Sequence, residues 1–71
     1  MTLTTKFKKD ISTLRAAVNQ EIFLDVKNPK LYKKVRRYYL SEGLITLTGE
    51  DPDVDYNIVI ECIAEDLAEV V

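Results

Sequence analysis

Apolar residues recur at helical spacing along the first third of the chain. Residues three or four positions apart lie on one side of a helix that turns about 100° per residue. The apolar stripe consists of Leu3, Phe7, Ile11, Leu14, Val18 and Ile22. This period predicts one amphipathic helix over about residues 4–26. Phe23 lies off the stripe, so it is the first residue that we expect to meet a second partner.

A second helix is predicted where an asparagine precedes a proline. Asn28 is a favourable N-cap. Pro29 suits the first helical position, because an amide hydrogen at that position would have no partner within the helix. The helix should cover about residues 29–42. Gly43 should end it in the left-handed conformation, with Leu44 making the accompanying hydrophobic contact. The inward stripe of this helix is Leu31, Val35, Tyr38 and Tyr39, with Tyr32 at its edge.

The last third of the chain fits two structures. Residues 44–48, LITLT, favour an extended chain, and GEDPD is typical of a turn. Every second residue of 54–62 is apolar, so Val54, Tyr56, Ile58, Ile60 and Cys62 would share one face of a strand paired with 44–48 in a hairpin. A helix over about 52–70 is the other interpretation, with Asp51 as its cap and Pro52 at its first position.

The helical period explains the whole segment 52–70, whereas alternation explains only half of it. The sequence therefore predicts a mainly α, three-helix small domain over residues 1–71, with a short extended segment at 44–48. The alternative is an α+β, winged-helix-like domain with a hairpin of 44–48 and 54–62.

Length and composition indicate one small folded unit that needs additional stabilisation. The 71 residues are 46% hydrophobic and 31% charged. A chain of this size buries only about 60% of its unfolded surface, and such domains usually gain stability from disulfides, a metal or a partner chain. Cys62 is the single cysteine and histidine is absent, which excludes an intrachain disulfide and disfavours a zinc site. We therefore expect self-association, most simply as a homodimer.

No stretch of the sequence has the pattern of a secretory signal or of a membrane span. The first ten residues, MTLTTKFKKD, lack an apolar core, and no apolar run approaches the roughly 20 residues that cross a bilayer. A free thiol without an export signal indicates a reducing setting. We expect a cytoplasmic protein without a membrane partner.

The residue types needed for catalysis are scarce. General acid–base catalysis near neutral pH usually employs histidine or carboxylates with a shifted pKa, but here histidine is absent and the acids lie on predicted outer faces. Cys62 has no neighbouring base to form a thiolate, so it is expected to act as a small hydrophobic residue. With two glycines, the chain has no glycine-rich phosphate loop. We expect a non-enzyme without a cofactor.

The segment EDPDVD begins like a calcium-binding EF-hand loop. Asp51, Asp53 and Asp55 have the spacing of its first three ligands. Tyr56 stands where that loop requires glycine, and Cys62 stands where it requires a bidentate glutamate. We expect these acids to stabilise a helix N-terminus and not to bind a metal ion.

Charge is divided between the two parts of the chain. Residues 1–43 hold all ten lysines and arginines with four acids, a net charge of +6, and residues 44–71 hold eight acids and no base, a net charge of −8. Surface ion pairs contribute only about 0–1 kcal/mol each, too little to account for this division. Charge complementarity acts more strongly on orientation and partner choice, so a charged macromolecular partner is expected.

Two helix faces are the candidate contact surfaces. The basic face of the second helix contains Lys30, Lys33, Lys34, Arg36 and Arg37. The acidic face of the last helix contains Glu61, Glu65, Asp66 and Glu69. Each face could meet a protein partner or the opposite face of a second copy.

The basic face also allows nucleic acid as a partner. Its cations could neutralise phosphates, and the adjacent tyrosines could stack on bases if they are not core residues. The LSEGLI segment after a basic helix resembles the helix-to-wing junction of winged-helix DNA-binding proteins. That resemblance implies a recognition helix at 29–42 and a wing at 44–48 and 54–62. The unbroken helix predicted over 4–26 departs from the family, which has a turn before its second helix.

These patterns predict a small regulatory or inhibitory protein that acts by protein–protein interaction through charge-segregated helical faces and that self-associates. The alternative is a winged-helix-like transcriptional regulator that binds nucleic acid through the basic helix 29–42.

Overall fold

Five α-helices and one short 3-10 turn make up the computed structural model, which describes residues 2–68. In chain order they are α1 (Leu3–Lys6), the 3-10 turn (Lys8–Asp10), α2 (Ile11–Val18), α3 (Leu24–Lys27), α4 (Pro29–Ser41) and α5 (Pro52–Ala68). Residues 2–68 contain no strand, so the mainly α prediction is confirmed and the alternative hairpin does not form. Residues 69 and 70 of the predicted last helix lie outside the described part.

Helices α4 and α5 begin where their capping residues predict. The Asn28 side-chain oxygen accepts a hydrogen bond of 3.2 Å from the Leu31 amide, and Pro29 takes the first position of α4. The Asp51 carboxylate accepts hydrogen bonds from the amides of Asp53 (3.0 Å) and Val54 (3.4 Å) at the start of α5. These bonds satisfy amides that have no partner within the helix.

Helix α4 ends on a glycine in the left-handed conformation, as predicted. Gly43 has a φ of +69°, and its amide donates to the Leu40 carbonyl over 3.1 Å. The Leu44 amide donates to the Tyr39 carbonyl over 3.0 Å, which completes a Schellman motif. The following segment 44–48 alternates exposed side chains with the half-buried Ile45 and Leu47, as expected for an extended chain.

The predicted helix over 4–26 is wrong in its continuity, because the chain breaks it twice. Phe7 leaves helical geometry with φ −114° and ψ 38°, and α2 ends at Val18. A straight helix of that length would measure about 34 Å, whereas the 17 residues of α5 provide about 25 Å of packing surface. The breaks fold the apolar stripe back onto α5, so Leu3, Phe7 and Leu14 are all buried.

A second Schellman motif ends α2, with a glutamine in place of the usual glycine. Gln20 has a φ of +63°, and its amide donates to the Ala17 carbonyl over 3.2 Å. The Glu21 amide donates to the Ala16 carbonyl over 3.0 Å. Side chains other than glycine and asparagine rarely occupy this position, so the sequence carries no signal for the break.

The core lies between α5 on one side and the N-terminal helices and α4 on the other. Its fully buried side chains are Leu3, Leu14, Leu24, Val35, Tyr39, Val59 and Ile63. The Phe7 and Tyr38 rings meet edge to face with centroids 5.9 Å apart, a favoured aromatic geometry. The radius of gyration of 11.2 Å equals the roughly 11 Å expected for a compact domain of this length.

Asp55 organises the connection between α4 and α5. One carboxylate oxygen accepts hydrogen bonds from the Thr48 amide (2.8 Å) and hydroxyl (2.9 Å), and the other accepts from the Gly49 amide (3.1 Å). These bonds, above all the one from the Thr48 amide, lower the pKa of Asp55. The last acid of the segment EDPDVD therefore holds the loop, and Asp51 in the same segment caps α5.

We expect Gln20→Gly to stabilise the protein by about 0.5–1 kcal/mol, because glycine removes the left-handed strain at a modest cost in unfolded-chain entropy. Asn19→Gly is the matched control. Its φ of −78° carries no such strain, so the same glycine should destabilise by about 0.5–1 kcal/mol. Urea denaturation measures both. If both variants change the free energy of unfolding in the same direction, the result would contradict the strain at Gln20.

Asp55→Asn should lower the urea midpoint at neutral pH, because the amide nitrogen that replaces one oxygen cannot accept from Gly49. The pKa of Asp55 is lower in the folded protein than in the unfolded chain. Its stabilising contribution is therefore complete above the unfolded value near 4 and is lost as the pH falls through the folded value. The gap between wild type and Asp55→Asn should therefore narrow as the pH falls below the unfolded value and close once the carboxyl is protonated in the folded protein. Asp53→Asn, which removes no loop bond, is the control.

Candidate binding surfaces

The outer side of α4 displays the predicted basic face. Lys30, Lys33, Lys34 and Arg37 are exposed, and Arg36 is half-buried with its guanidinium 5.8 Å from the Tyr32 ring centroid. The Asn28 cap and the buried stripe together fix the rotation of α4, so these cations point away from the core. The structure thus brings all five predicted residues onto one side of one helix.

The three tyrosines beside the basic face belong to the core. Tyr32, Tyr38 and Tyr39 are 9%, 5% and 0% exposed, and Tyr38 contacts Tyr39 with ring centroids 5.4 Å apart. No more than 9% of any of these tyrosines is exposed, which leaves too little ring surface for a base to stack on. The break in the helix predicted over 4–26 removes one difference from winged-helix proteins, but the wing that this resemblance implies is helix α5.

The cations of α4 are not neutralised within the fold. Across residues 2–68, no lysine or arginine nitrogen lies within 4 Å of a carboxylate oxygen. Arg36 acts on an acid at longer range, because its charge contributes to the lowered pKa of Asp55, behind that carboxylate's hydrogen bonds. Within residues 2–68 the basic face therefore forms no ion pair, and four of its five cations are exposed and accessible to a partner.

A cleft with an apolar floor opens at one edge of the basic face, where α1 meets α4. It has a volume of about 260 Å³ and is lined by Lys6, Phe7, Lys34, Arg37, Tyr38 and Ser41, which we call the basic cleft. The Lys6 ammonium lies 5.3 Å from the Tyr38 ring centroid, within the range of a cation–π contact. Sequence reasoning missed Lys6, because its place beside α4 follows from the packing of Phe7 on Tyr38.

The predicted acidic face divides into exposed and anchored residues. Glu61 and Glu65 are exposed on α5, whereas Asp66 accepts a hydrogen bond of 2.7 Å from the Tyr39 hydroxyl. Burial and this hydrogen bond raise the pKa of Tyr39. Asp66 thus holds α5 to α4, and Glu69 lies outside the described residues.

The described residues offer little acid–base or metal chemistry. Burial, followed by the charge of Asp66, raises the pKa of the Cys62 thiol, so the thiolate is disfavoured at neutral pH. In the part of the chain from 2 to 68, no group of three or more histidine, cysteine or acidic side chains is placed to hold a metal ion.

The other prominent surface is apolar and surrounds Phe23. Phe23 and Val26 are 70% and 72% exposed, and the Phe23 ring lies 6.4 Å from that of Tyr56. Open clefts of about 380 and 330 Å³ flank Phe23. The charged residues that line them are Asp25 and Asp53. We call this region, comprising Phe23, Val26, Tyr56, Asp25 and Asp53, the Phe23 patch.

A hydrogen bond between residues far apart in the chain sets the position of the Phe23 patch. The Tyr56 hydroxyl accepts a hydrogen bond of 3.0 Å from the Leu24 amide, which ties the start of α3 to α5. Leu24 is fully buried beside its exposed neighbour Phe23. The buried residue therefore anchors the turn, and Phe23 projects from it as a knob, as its place off the apolar stripe suggests.

Comparisons with family models, curated proteins and solved structures found no match for this chain. No helix within residues 2–68 is both long enough and apolar enough to cross a membrane.

Tyr39→Phe should destabilise the protein by about 1–2 kcal/mol, because it removes a hydrogen bond to a carboxylate that water can partly replace. Tyr32→Phe is the control. The Tyr32 hydroxyl makes no hydrogen bond within the described residues, so its loss should change the free energy of unfolding by less than about 0.5 kcal/mol. Urea denaturation compares the two, and equal losses would contradict an anchoring role for Asp66.

Proposed function

We propose that this protein is a small non-enzymatic binding protein that regulates or inhibits a macromolecular protein partner through charge-complementary contact, and that it also self-associates. The observation that carries the proposal is the unpaired basic face of α4 beside the apolar floor of the basic cleft. A partner segment that combines carboxylates with one aromatic side chain matches both features.

The combination of an apolar floor and a charged rim in the basic cleft supports a protein ligand. Binding hot spots are enriched in tryptophan, tyrosine and arginine, and they lie in well-packed pockets from which water is excluded. The basic cleft presents Phe7 and Tyr38 as an apolar floor, with Lys34 and Arg37 at its rim. At about 260 Å³ it is smaller than the roughly 300–1,000 Å³ of pockets for drug-sized ligands, so a single side chain fits it better than a cofactor.

Nucleic acid is the competing partner class, and it receives less support. The exposed cations would contact phosphates, but the buried tyrosines offer no stacking platform and α5 takes the place of a wing. The half-buried Cys62 thiol supports the expectation of a reducing, cytoplasmic setting.

The test is binding of three labelled probes at about 50 mM and about 500 mM salt. The first probe is a synthetic acidic peptide with one phenylalanine between aspartates, the second has serine in place of that phenylalanine, and the third is a short duplex DNA. We expect the wild type to bind the phenylalanine peptide best, with affinity falling as salt rises. Fluorescence anisotropy gives the dissociation constants.

Two double variants with the same change in net charge locate the contact. Lys34→Glu with Arg37→Glu should weaken peptide binding at least tenfold, because both residues line the basic cleft. Lys8→Glu with Lys9→Glu changes the net charge equally on exposed residues outside that cleft, and it should have less than a threefold effect. Equal losses in the two variants, or no binding by the wild type at low salt, would overturn the proposal. Tighter binding of DNA than of either peptide would replace the protein partner with nucleic acid.

A further inference from the structure

We propose that a second copy of this chain is itself a ligand of the basic cleft, so that the Phe23 patch of one copy docks into the basic cleft of the next in a head-to-tail assembly. This inference rests on the proposed function in one respect. It needs the basic cleft to accept an aromatic side chain flanked by acids.

The chain carries such a segment on its own surface. Phe23 is 70% exposed, with Glu21 and Asp25 two residues away on either side and both exposed. Asp53 adds a third carboxylate from the start of α5. The segment projects as a knob because the left-handed Gln20 turns the chain and the buried Leu24 anchors it.

The two surfaces are complementary in charge and alike in their apolar centres. The charged residues that line the basic cleft are Lys6, Lys34 and Arg37, whereas those that line the clefts beside Phe23 are Asp25 and Asp53. Each surface has an aromatic centre, the Phe7 and Tyr38 rings in one and the exposed Phe23 ring in the other. Opposite potentials of this kind orient an encounter, and an aromatic anchor in a cleft supplies affinity.

Charge also selects head-to-tail over symmetric pairing. A two-fold interface places the same patch of both copies together. Two Phe23 patches would bring Asp25 and Asp53 against their own equivalents, and two basic clefts would bring Lys34 and Arg37 together. Like charges repel in both arrangements, whereas contact between unlike patches places cations against carboxylates.

The two surfaces lie on opposite edges of α4, which prevents one copy from joining them to each other. Tyr32 lies at one edge, where its ring centroid is 5.5 Å from that of Tyr56. The Tyr56 ring in turn contacts the Phe23 ring. Ser41 of the basic cleft lies about 180° from Tyr32 around the helix, at 100° per residue. A heterologous contact between such separate surfaces generates a ring or an open chain of copies.

Complementation between two disabled variants tests the head-to-tail contact. Phe23→Ala keeps an intact basic cleft, and Lys34→Glu with Arg37→Glu keeps an intact Phe23 patch. Each variant alone should sediment as a monomer of 8.2 kDa, while their mixture at low salt should form a dimer of twice that mass. The wild type should exceed the dimer mass as its concentration rises from about 10 µM to about 1 mM.

The outcomes separate this inference from the proposed function. Self-association of Lys34→Glu with Arg37→Glu alone, or a mixture that stays monomeric, would overturn the head-to-tail contact. A wild type that stays monomeric at about 1 mM would do the same. If Phe23→Ala still binds the phenylalanine peptide with the wild-type affinity in any of these cases, the head-to-tail contact fails while the partner-binding part of the proposed function stands. Loss of peptide binding by the wild type itself removes the proposed function as well. Circular dichroism spectra of both variants that match the wild type show that the fold is retained.

Discussion

Burial of the apolar side of α4 is the constraint from which the rest of this structure follows. Val35 and Tyr39 are fully buried, and Tyr38 and Leu31 nearly so. Burying one such side chain contributes about 1.5–3 kcal/mol, whereas one surface ion pair contributes about 0–1 kcal/mol. Hydrophobic packing therefore decides how α4 is rotated. The cations must then occupy the opposite side, whether or not carboxylates of the same chain lie within reach.

The same packing determines where the acids are displayed. Asp55 and Asp66 are drawn into structural hydrogen bonds, one with the loop at Thr48 and the other with the Tyr39 hydroxyl. Glu61 and Glu65 remain on the outer side of α5. Only some of the negative charge is therefore available to a partner. The positive surface of α4 gains Lys6 from α1 and becomes a cleft instead of a flat face.

Head-to-tail assembly would make self-association and partner binding compete for one surface. A copy whose basic cleft holds the Phe23 knob of its neighbour cannot bind an acidic segment of another protein there. In the assembly the basic cleft would be covered by the neighbouring copy. A partner that binds the basic cleft more tightly would displace that copy by mass action. Because both proposed contacts rely on exposed charge, both would weaken as salt screens the surface.

The sequence by itself determined the elements whose signals are local. Asn28 with Pro29, Asp51 with Pro52, and Gly43 each act on amides or carbonyls within a few residues, so the bounds of α4, the start of α5 and the basic face could be predicted. Tertiary structure alone decided the breaks at Phe7 and Gln20, because an unbroken helix satisfies the same apolar period and only the length of α5 limits what it can cover. It also decided that Lys6 lies beside α4, that Asp66 accepts a hydrogen bond from Tyr39 and that Asp53 lies beside Phe23. Those contacts join residues far apart in the chain, and no local pattern encodes them.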